Sequence, residues 1–143
     1  MADHVYGEYE LGEPSGDWLT DLVDLGLQAR EIYRRHPWLA ELVLTRPVVG
    51  PNGIDVTEHY LAVLAGHPAP DGDKLVAWAM LSAIVASAAR SEASPVDALR
   101  SARYVAHVAA QGNHPHLAAL DVGPVDADPL PTALRRVLSG LLG

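Results

Sequence analysis

Proline and glycine residues divide this chain into runs in which apolar side chains recur every three or four positions. That spacing places the apolar side chains on one face of an α-helix, and proline and glycine favour the positions where helices begin and end. Six runs have this form: 17–35, 38–44, 50–66, 72–91, 94–111 and the segment that follows 128–129. None has the strict alternation of a strand. The sequence therefore predicts an all-α bundle of about six to seven helices.

Short polar residues in front of the runs indicate where individual helices start. Asp17 is placed to accept the free amides of a first turn, and Asp71 can do the same for the helix at 72–91. In Ser94-Pro95 the serine is the expected cap, and the proline takes the first helical position, which needs no amide donor. Asp128-Pro129 repeats this arrangement before the last helix. We therefore expect a side-chain cap at each of these helix starts.

The helix at 72–91 is apolar on nearly all sides, so it has to be buried on more than one of them. We expect one side to face its own domain and another to face a partner subunit. Of the 143 residues 49% are apolar, but only 6% are aromatic and phenylalanine is absent. The core therefore has to consist mainly of alanine, leucine and valine. The length predicts a single domain over 1–143.

The charge and cysteine content limit the possible partners. Ten basic residues against eighteen acidic ones give a net charge of −8, which repels nucleic acid, so we expect no DNA binding through this chain alone. Cysteine is absent, which excludes disulfides and thiolate metal sites and makes a cytoplasmic location the default.

The first residues lack the features of a signal peptide. The most apolar segment, Leu75 to Ala89, is too short to span a bilayer, so we expect no membrane association.

The helix junction at 34–53 carries a family resemblance. It reads Arg34-Arg35-His36-Pro37-Trp38-Leu39-Ala40-Glu41-Leu42-Val43-Leu44-Thr45-Arg46-Pro47, followed by Gly50-Pro51-Asn52-Gly53. This junction resembles that of the regulatory domain in tetracycline-repressor-like (TetR family) proteins, and looser resemblances lie in the family's order at 5–8, 112–120 and 134–142. In that family a DNA-reading head precedes the junction. We expect no such head here, because too few residues precede Arg34.

The resemblance implies a pocket among the central helices for an apolar or aromatic small molecule, with no cofactor. It also implies a homodimer. We predict that its interface is formed by the helix at 72–91 and by Leu134, Val137, Leu138 and Leu141 of the last helix. Ligand binding would then shift helices at the interface, which is how a sensor domain passes on a signal.

Six side chains are candidates for contact with a ligand: Trp38, His59, Trp78, Ser82, Tyr104 and His107. Trp78 and Ser82 are four residues apart on the apolar helix and therefore share a face. A hydroxyl group there needs a partner or a ligand, although serine can also bond to the backbone of its own helix.

The other candidates have less specific surroundings. His59 lies at the edge of the helix face that carries Tyr60, and an imidazole group there could act as an acid or a base. Tyr104 and His107 are three residues apart, so they are neighbours on a helix. Each of these residues can equally be an ordinary packing or surface residue. We expect Trp38 to anchor the junction in the core, with contact to a ligand as the alternative.

His107, His114 and His116 offer imidazole groups, but neither cysteine nor a helix-spaced ligand pair accompanies them, so we predict no metal site. The usual enzyme motifs are absent.

Two other functions stay open. One is a stand-alone enzyme of specialised metabolism that catalyses a cofactor-independent cyclisation or isomerisation, with His59, Tyr104 and His107 moving protons. The other is a partner protein that pairs with a full-length relative and blocks its DNA binding.

Overall fold

A computed structural model describes residues 1–47 and 49–143 of the chain. These residues form eight helices and no strand, as predicted for an all-α bundle. The helices are α1 (Ala2–Tyr6), α2 (Trp18–Arg35), α3 (Pro37–Thr45), α4 (Pro51–Val63), α5 (Asp71–Ala93), α6 (Pro95–Ala109), α7 (Pro115–Ala118) and α8 (Leu130–Leu142). Only α1 and α7 are shorter than two turns, so the six runs in the sequence correspond to the six longer helices.

The helices start close to the predicted positions, but only some of the predicted capping hydrogen bonds form. The Asp17 carboxylate accepts the Thr20 amide at 3.1 Å and caps α2 as expected. Ser94 precedes α6 but makes no side-chain cap hydrogen bond, and α5 has Pro70 at its cap position and Asp71 inside its first turn. The prolines therefore indicate the helix starts more faithfully than the short polar residues do.

Asp128, which was expected to cap α8, binds a buried arginine instead. Its carboxylate accepts hydrogen bonds from Nη1 of Arg30 at 2.6 Å and from Nη2 at 2.9 Å, and Pro129 takes the cap position of α8. Arg30 is only 8% exposed, and a guanidinium group buried to this extent needs a carboxylate partner. These hydrogen bonds hold the pKa of Asp128 below its usual range. The ion pair fixes the approach to α8 against α2.

α5 is the central helix of the bundle, because α2, α3 and α8 all pack against it. α2 and α8 also pack against each other. Gly26 on α2 permits this close packing, since a Cβ atom there would lie 2.9 Å from Cδ1 of Leu134 on α8 and 3.2 Å from Cδ1 of Leu81 on α5. The core is mostly aliphatic, as the composition predicts, and its largest fully buried side chain is Tyr60.

α6 and α7, residues 95–118, form an arm that makes little contact with the bundle. α6 has no buried residue, although its apolar side chains have helical spacing. Val96, Leu99 and Val105 are all largely exposed. The helix was predicted correctly, but the burial that its apolar face suggests is missing within this chain.

Trp38 does not anchor the junction in the core, contrary to the prediction. It is 38% exposed, whereas the two residues that follow it, Leu39 and Ala40, are almost fully buried. α3 begins at Pro37 in an orientation that turns these smaller side chains inward, and the Trp38 ring lies edge-on to His36 with 6.4 Å between ring centroids. Aliphatic side chains therefore anchor the junction.

The predicted dimer interface also needs correction in α8. Leu134 and Leu138 are 0% and 1% exposed, because α8 turns this stripe toward α2 and α5 of its own chain. Val137 and Leu141 are partly exposed. Leu134 and Leu138 therefore belong to the core of the protomer and are not available to a partner.

One helix in the described part of the chain, α5, is long and apolar enough to cross a membrane by length and composition, with a mean hydropathy of 1.3. The apolar segment expected from the sequence was shorter, whereas α5 extends over 23 residues. A helix that packs against three other helices needs a composition as apolar as that of a membrane-spanning helix.

Candidate functional site

A small cavity lies where the segment after α1 meets α2 and α5. The residues that line it are all uncharged: Tyr6, Tyr9, Leu25, Gly26, Ala29, Tyr33, Trp78, Leu81, Ser82 and Val85. The cavity volume is about 10 Å³, close to the minimum that one water molecule needs. Aromatic rings, aliphatic groups and hydroxyl groups thus meet at one point inside the bundle.

Trp78 and Ser82 both line this cavity, which confirms that they share a face of α5. The Trp78 ring packs on Tyr60 of α4 with 4.8 Å between ring centroids. The Tyr60 hydroxyl donates a hydrogen bond to the Lys74 carbonyl oxygen at 2.6 Å, and burial raises the pKa of Tyr60 to about 12. Trp78 is therefore a supported wall of the cavity. Its contact with a ligand stays a prediction, as does that of Ser82.

Three tyrosines complete the cavity, and none of them was among the predicted site residues. Tyr6 comes from α1, Tyr33 from α2 and Tyr9 from the segment between them, with 5.5 Å between the ring centroids of Tyr6 and Tyr9. Burial raises the pKa of all three phenol groups, and contact with the Tyr33 hydroxyl offsets part of the rise at Tyr6 and Tyr9. The three hydroxyl groups therefore stay protonated as hydrogen-bond donors.

The sequence contained a signal for two of these tyrosines. Tyr33 belongs to the apolar stripe of α2, and Tyr6 lies in one of the stretches that resemble the TetR family. Tyr9 lies in a segment without helical spacing, so no periodic pattern indicated that its side chain points inward.

The remaining predicted site residues lie away from the cavity. His59 is half-buried on α4 but does not line the cavity. On α6, Tyr104 is 68% exposed, and exposed His107 has its Nε2 3.1 Å from Nε2 of Gln111. Contact of these residues and of Trp38 with a ligand stays a prediction. Acid–base catalysis in a dry pocket gains no support here, because two of its three proposed groups are in solvent.

A larger groove separates α6 from α2, α3 and the end of α5. It has a volume of about 750 Å³ and is open to solvent. Small residues line it together with Arg34, Glu41, Arg90, Glu92 and Asp97, and Nε of Arg34 lies 2.8 Å from the Glu92 carboxylate. Five charged residues line the groove and none lines the cavity, so by charge the cavity suits an uncharged ligand better, while the groove has the larger volume.

Comparison with known proteins identifies relatives of the chain. Residues 12–142 match the family described as the tetracyclin repressor-like C-terminal domain. The HTH-type transcriptional repressor DrrR1 of Streptomyces coeruleorubidus is 31% identical over 147 residues, which cover 92% of this chain and 53% of that protein. An HTH-type transcriptional regulator of Saccharopolyspora erythraea is 35% identical over 91 residues, which cover 63% of this chain and 39% of that protein. The chain therefore spans about half the length of the repressor and less than half that of the regulator.

A solved structure has the same fold. The crystal structure of apo ActR from Streptomyces coelicolor superposes with a TM-score of 0.80 at 24% sequence identity, covering 99% of this chain and 71% of that chain. The family match covers nearly the whole chain, and the helical bundle agrees with it. The chain belongs to the tetracyclin repressor-like C-terminal domain family.

Proposed function

We propose that this chain acts as the ligand-binding and dimerisation domain of a cytoplasmic TetR-family transcriptional regulator. Its ligand is an apolar or aromatic small molecule, bound in the cavity between α2, α5 and the segment that follows α1. The observation that carries the proposal is the composition of the cavity wall, which combines aromatic and aliphatic side chains with four hydroxyl groups and no charge. The names of the relatives, a transcriptional repressor and a transcriptional regulator, support regulation as the output.

The position of the cavity suits a sensor. It is bounded by α5, which also has an outer face and packs against α2, α3 and α8. A ligand larger than a water molecule has to displace part of the cavity wall, because the existing space is about that of a water molecule. Packed helices move as units, so any displacement of the α5 wall also displaces the outer face of α5.

That outer face supports the proposed homodimer. Leu75, Val76 and Met80 are 56%, 50% and 45% exposed on α5, and Val76 and Met80 are four residues apart on one side of the helix. Exposed apolar patches on soluble domains mark interaction surfaces. We propose that two copies pair through this face, with Val137 and Leu141 of α8 at its edge.

A binding experiment with two leucine variants tests the site. The purified chain is incubated with an organic extract of a Streptomyces culture, and retained molecules are identified by native mass spectrometry. Ser82→Leu fills the cavity, so this variant should lose the retained mass. Ser91→Leu introduces the same bulk on the same helix, but in the charged groove, and should keep it.

Circular dichroism of both variants shows whether the helices are intact. Retention by Ser82→Leu with loss in Ser91→Leu would move the site to the groove. Retention by both variants would contradict both locations.

The dimer has a separate test. Light scattering should give about twice the 15.2 kDa mass of the chain, and Met80→Lys should reduce it to one copy. Ile54→Lys is the control, because Ile54 is an apolar residue that is more exposed than Met80, at 59% against 45%, but lies on α4. A monomeric wild-type chain at micromolar concentration would refute the interface.

A further inference from the structure

The segment between α1 and α2 contains a single side chain that points inward. Residues 7–16, here named the strap, form no helix. Every residue of the strap is exposed except Tyr9, which packs against the core and lines the cavity. The strap therefore closes the cavity with one phenol ring.

The strap is tied to α1 at its start, where the Glu8 and Tyr9 amides donate to the Val5 and Tyr6 carbonyl oxygens at 3.0 and 3.4 Å, and it can turn at its other end. Asp3 fixes α1 to the start of α4, because its carboxylate accepts the Gly53 amide at 2.8 Å and its carbonyl oxygen accepts Nδ2 of Asn52 at 3.0 Å. At the other end Gly16 has a φ of +96°, a conformation that glycine adopts without strain. Tyr6 stays with α1, so Tyr9 is the cavity residue that the strap carries.

The strap is held by polar contacts on the surface. Glu10 and Gln28 exchange two hydrogen bonds between the strap backbone and the glutamine amide, at 2.9 and 3.3 Å. The Glu8 carboxylate lies 2.7 Å from Nη2 of Arg35, and the Ser15 amide donates to Asp21 at 2.8 Å. All of these groups are exposed, so water replaces their hydrogen bonds at little cost. The helical walls of the cavity are held by buried packing instead.

A surface groove of about 360 Å³ lies beside the strap and runs along α2. Its lining consists of Glu8 and Glu10 of the strap and of Asp24, Leu27, Gln28, Glu31, Ile32 and Arg35 of α2. The strap therefore does not pack tightly against α2 along its whole length.

We propose that Tyr9 occupies the ligand site as an internal substitute, and that the ligand is a planar aromatic phenol that takes its place when the strap lifts. This inference rests on the proposed function of the cavity. The Tyr9 ring lies beside the Tyr6 ring, with 5.5 Å between ring centroids, and Tyr33 and Ser82 contribute hydroxyl groups to the same cavity wall. A planar phenol in place of Tyr9 therefore finds an aromatic neighbour and hydroxyl groups in position, and no charged group lines the cavity to favour an ion.

Binding of 2-naphthol to the wild type and three variants tests the proposal. Tyr9→Ala removes the ring that the ligand has to displace, so its dissociation constant for 2-naphthol should fall at least tenfold below that of the wild type. Val122→Ala removes an exposed side chain outside the cavity and should leave the constant unchanged. Naphthalene, which has the same rings without the hydroxyl group, should bind at least fivefold more weakly than 2-naphthol. Gln28→Ala loosens the strap without touching the core and should speed association.

Hydrogen exchange supplies the second readout. Saturation of the wild type with 2-naphthol should increase exchange of the strap amides, because the strap leaves the cavity. Equal or weaker binding by Tyr9→Ala, equal binding of naphthalene, protection of the strap on binding, or no binding by any variant would each overturn the proposal. If Ser82→Leu abolishes retention of extract molecules while Tyr9→Ala gains no affinity for 2-naphthol, only the role of Tyr9 fails and the cavity remains the site.

Discussion

The bundle and the α6–α7 arm start from similar sequence patterns and end in opposite environments. α6 and α8 both have proline in the first turn or just before it, and both are amphipathic. α8 buries Leu130, Leu134, Leu138 and Leu142 against α2 and α5, whereas α6 buries no residue. The difference shows that helical spacing identifies an apolar face but not what covers it. α2 and α5 of the same chain cover the apolar face of α8, whereas no element among the described residues buries a residue of α6.

Truncation of a leucine in each helix gives the largest contrast. Leu134→Ala removes a side chain with no exposure and should lower the free energy of unfolding by about 2–5 kcal/mol. Leu99→Ala removes a side chain that is 55% exposed on α6 and should change it by less than about 0.5 kcal/mol at concentrations where the chain is monomeric. Chemical denaturation measures both. A loss in Leu99→Ala as large as that in Leu134→Ala would mean that α6 packs on the bundle in solution.

Two glycine substitutions test the packing within the bundle itself. Gly26→Ala forces a Cβ atom against Leu134 and Leu81 and should destabilise the chain by about 1–3 kcal/mol. Gly140 lies on the exposed side of α8, where an added Cβ atom would meet no neighbouring group within 4 Å. Gly140→Ala should therefore stabilise the chain by about 0.5–1 kcal/mol. Thermal unfolding of the pair compares them directly. Equal effects would contradict the close approach of α2, α5 and α8.

The smallest effect concerns the phenol groups in the cavity. Folding raises the pKa of Tyr6, Tyr9 and Tyr33, so their contribution to stability is complete below the unfolded value of about 10 and declines as the pH rises above it. The denaturant concentration at the midpoint of unfolding should decrease as the pH is raised from 10 to 11. Tyr9→Phe should make this decrease smaller because one ionising group is removed. An unchanged pH profile in Tyr9→Phe would mean that Tyr9 ionises equally in both states.

The sequence predicted the helices well because proline, glycine and apolar spacing act locally. It predicted that Trp78 and Ser82 share a face for the same reason. It missed the inward orientation of Tyr9, because that side chain is placed by contacts of the strap with α2, far along the chain. It also assigned Asp128 to a cap, since the competing partner, Arg30, lies in a helix near the other end of the chain. Long-range partners decide both cases.

The assignment of four α8 residues to a dimer interface failed in part for a related reason. Leu134 and Val137 lie in the same helix with nearly the same apolar character, and only the positions of α2 and α5 decide which of them is buried. The resemblance to a family indicated that a pocket and a dimer exist, but it did not identify the side chains that form them.

Fluorine NMR of the chain labelled with 3-fluorotyrosine tests the central claim most directly. The five tyrosines report on separate places: Tyr6, Tyr9 and Tyr33 line the cavity, Tyr60 supports its wall, and Tyr104 lies on the arm. Single phenylalanine substitutions assign the five signals. Addition of the molecule recovered in the extract experiment should shift the three cavity signals and leave the Tyr104 signal in place. A shift confined to Tyr104, with the cavity signals unchanged, would contradict the assignment of the cavity as the ligand site.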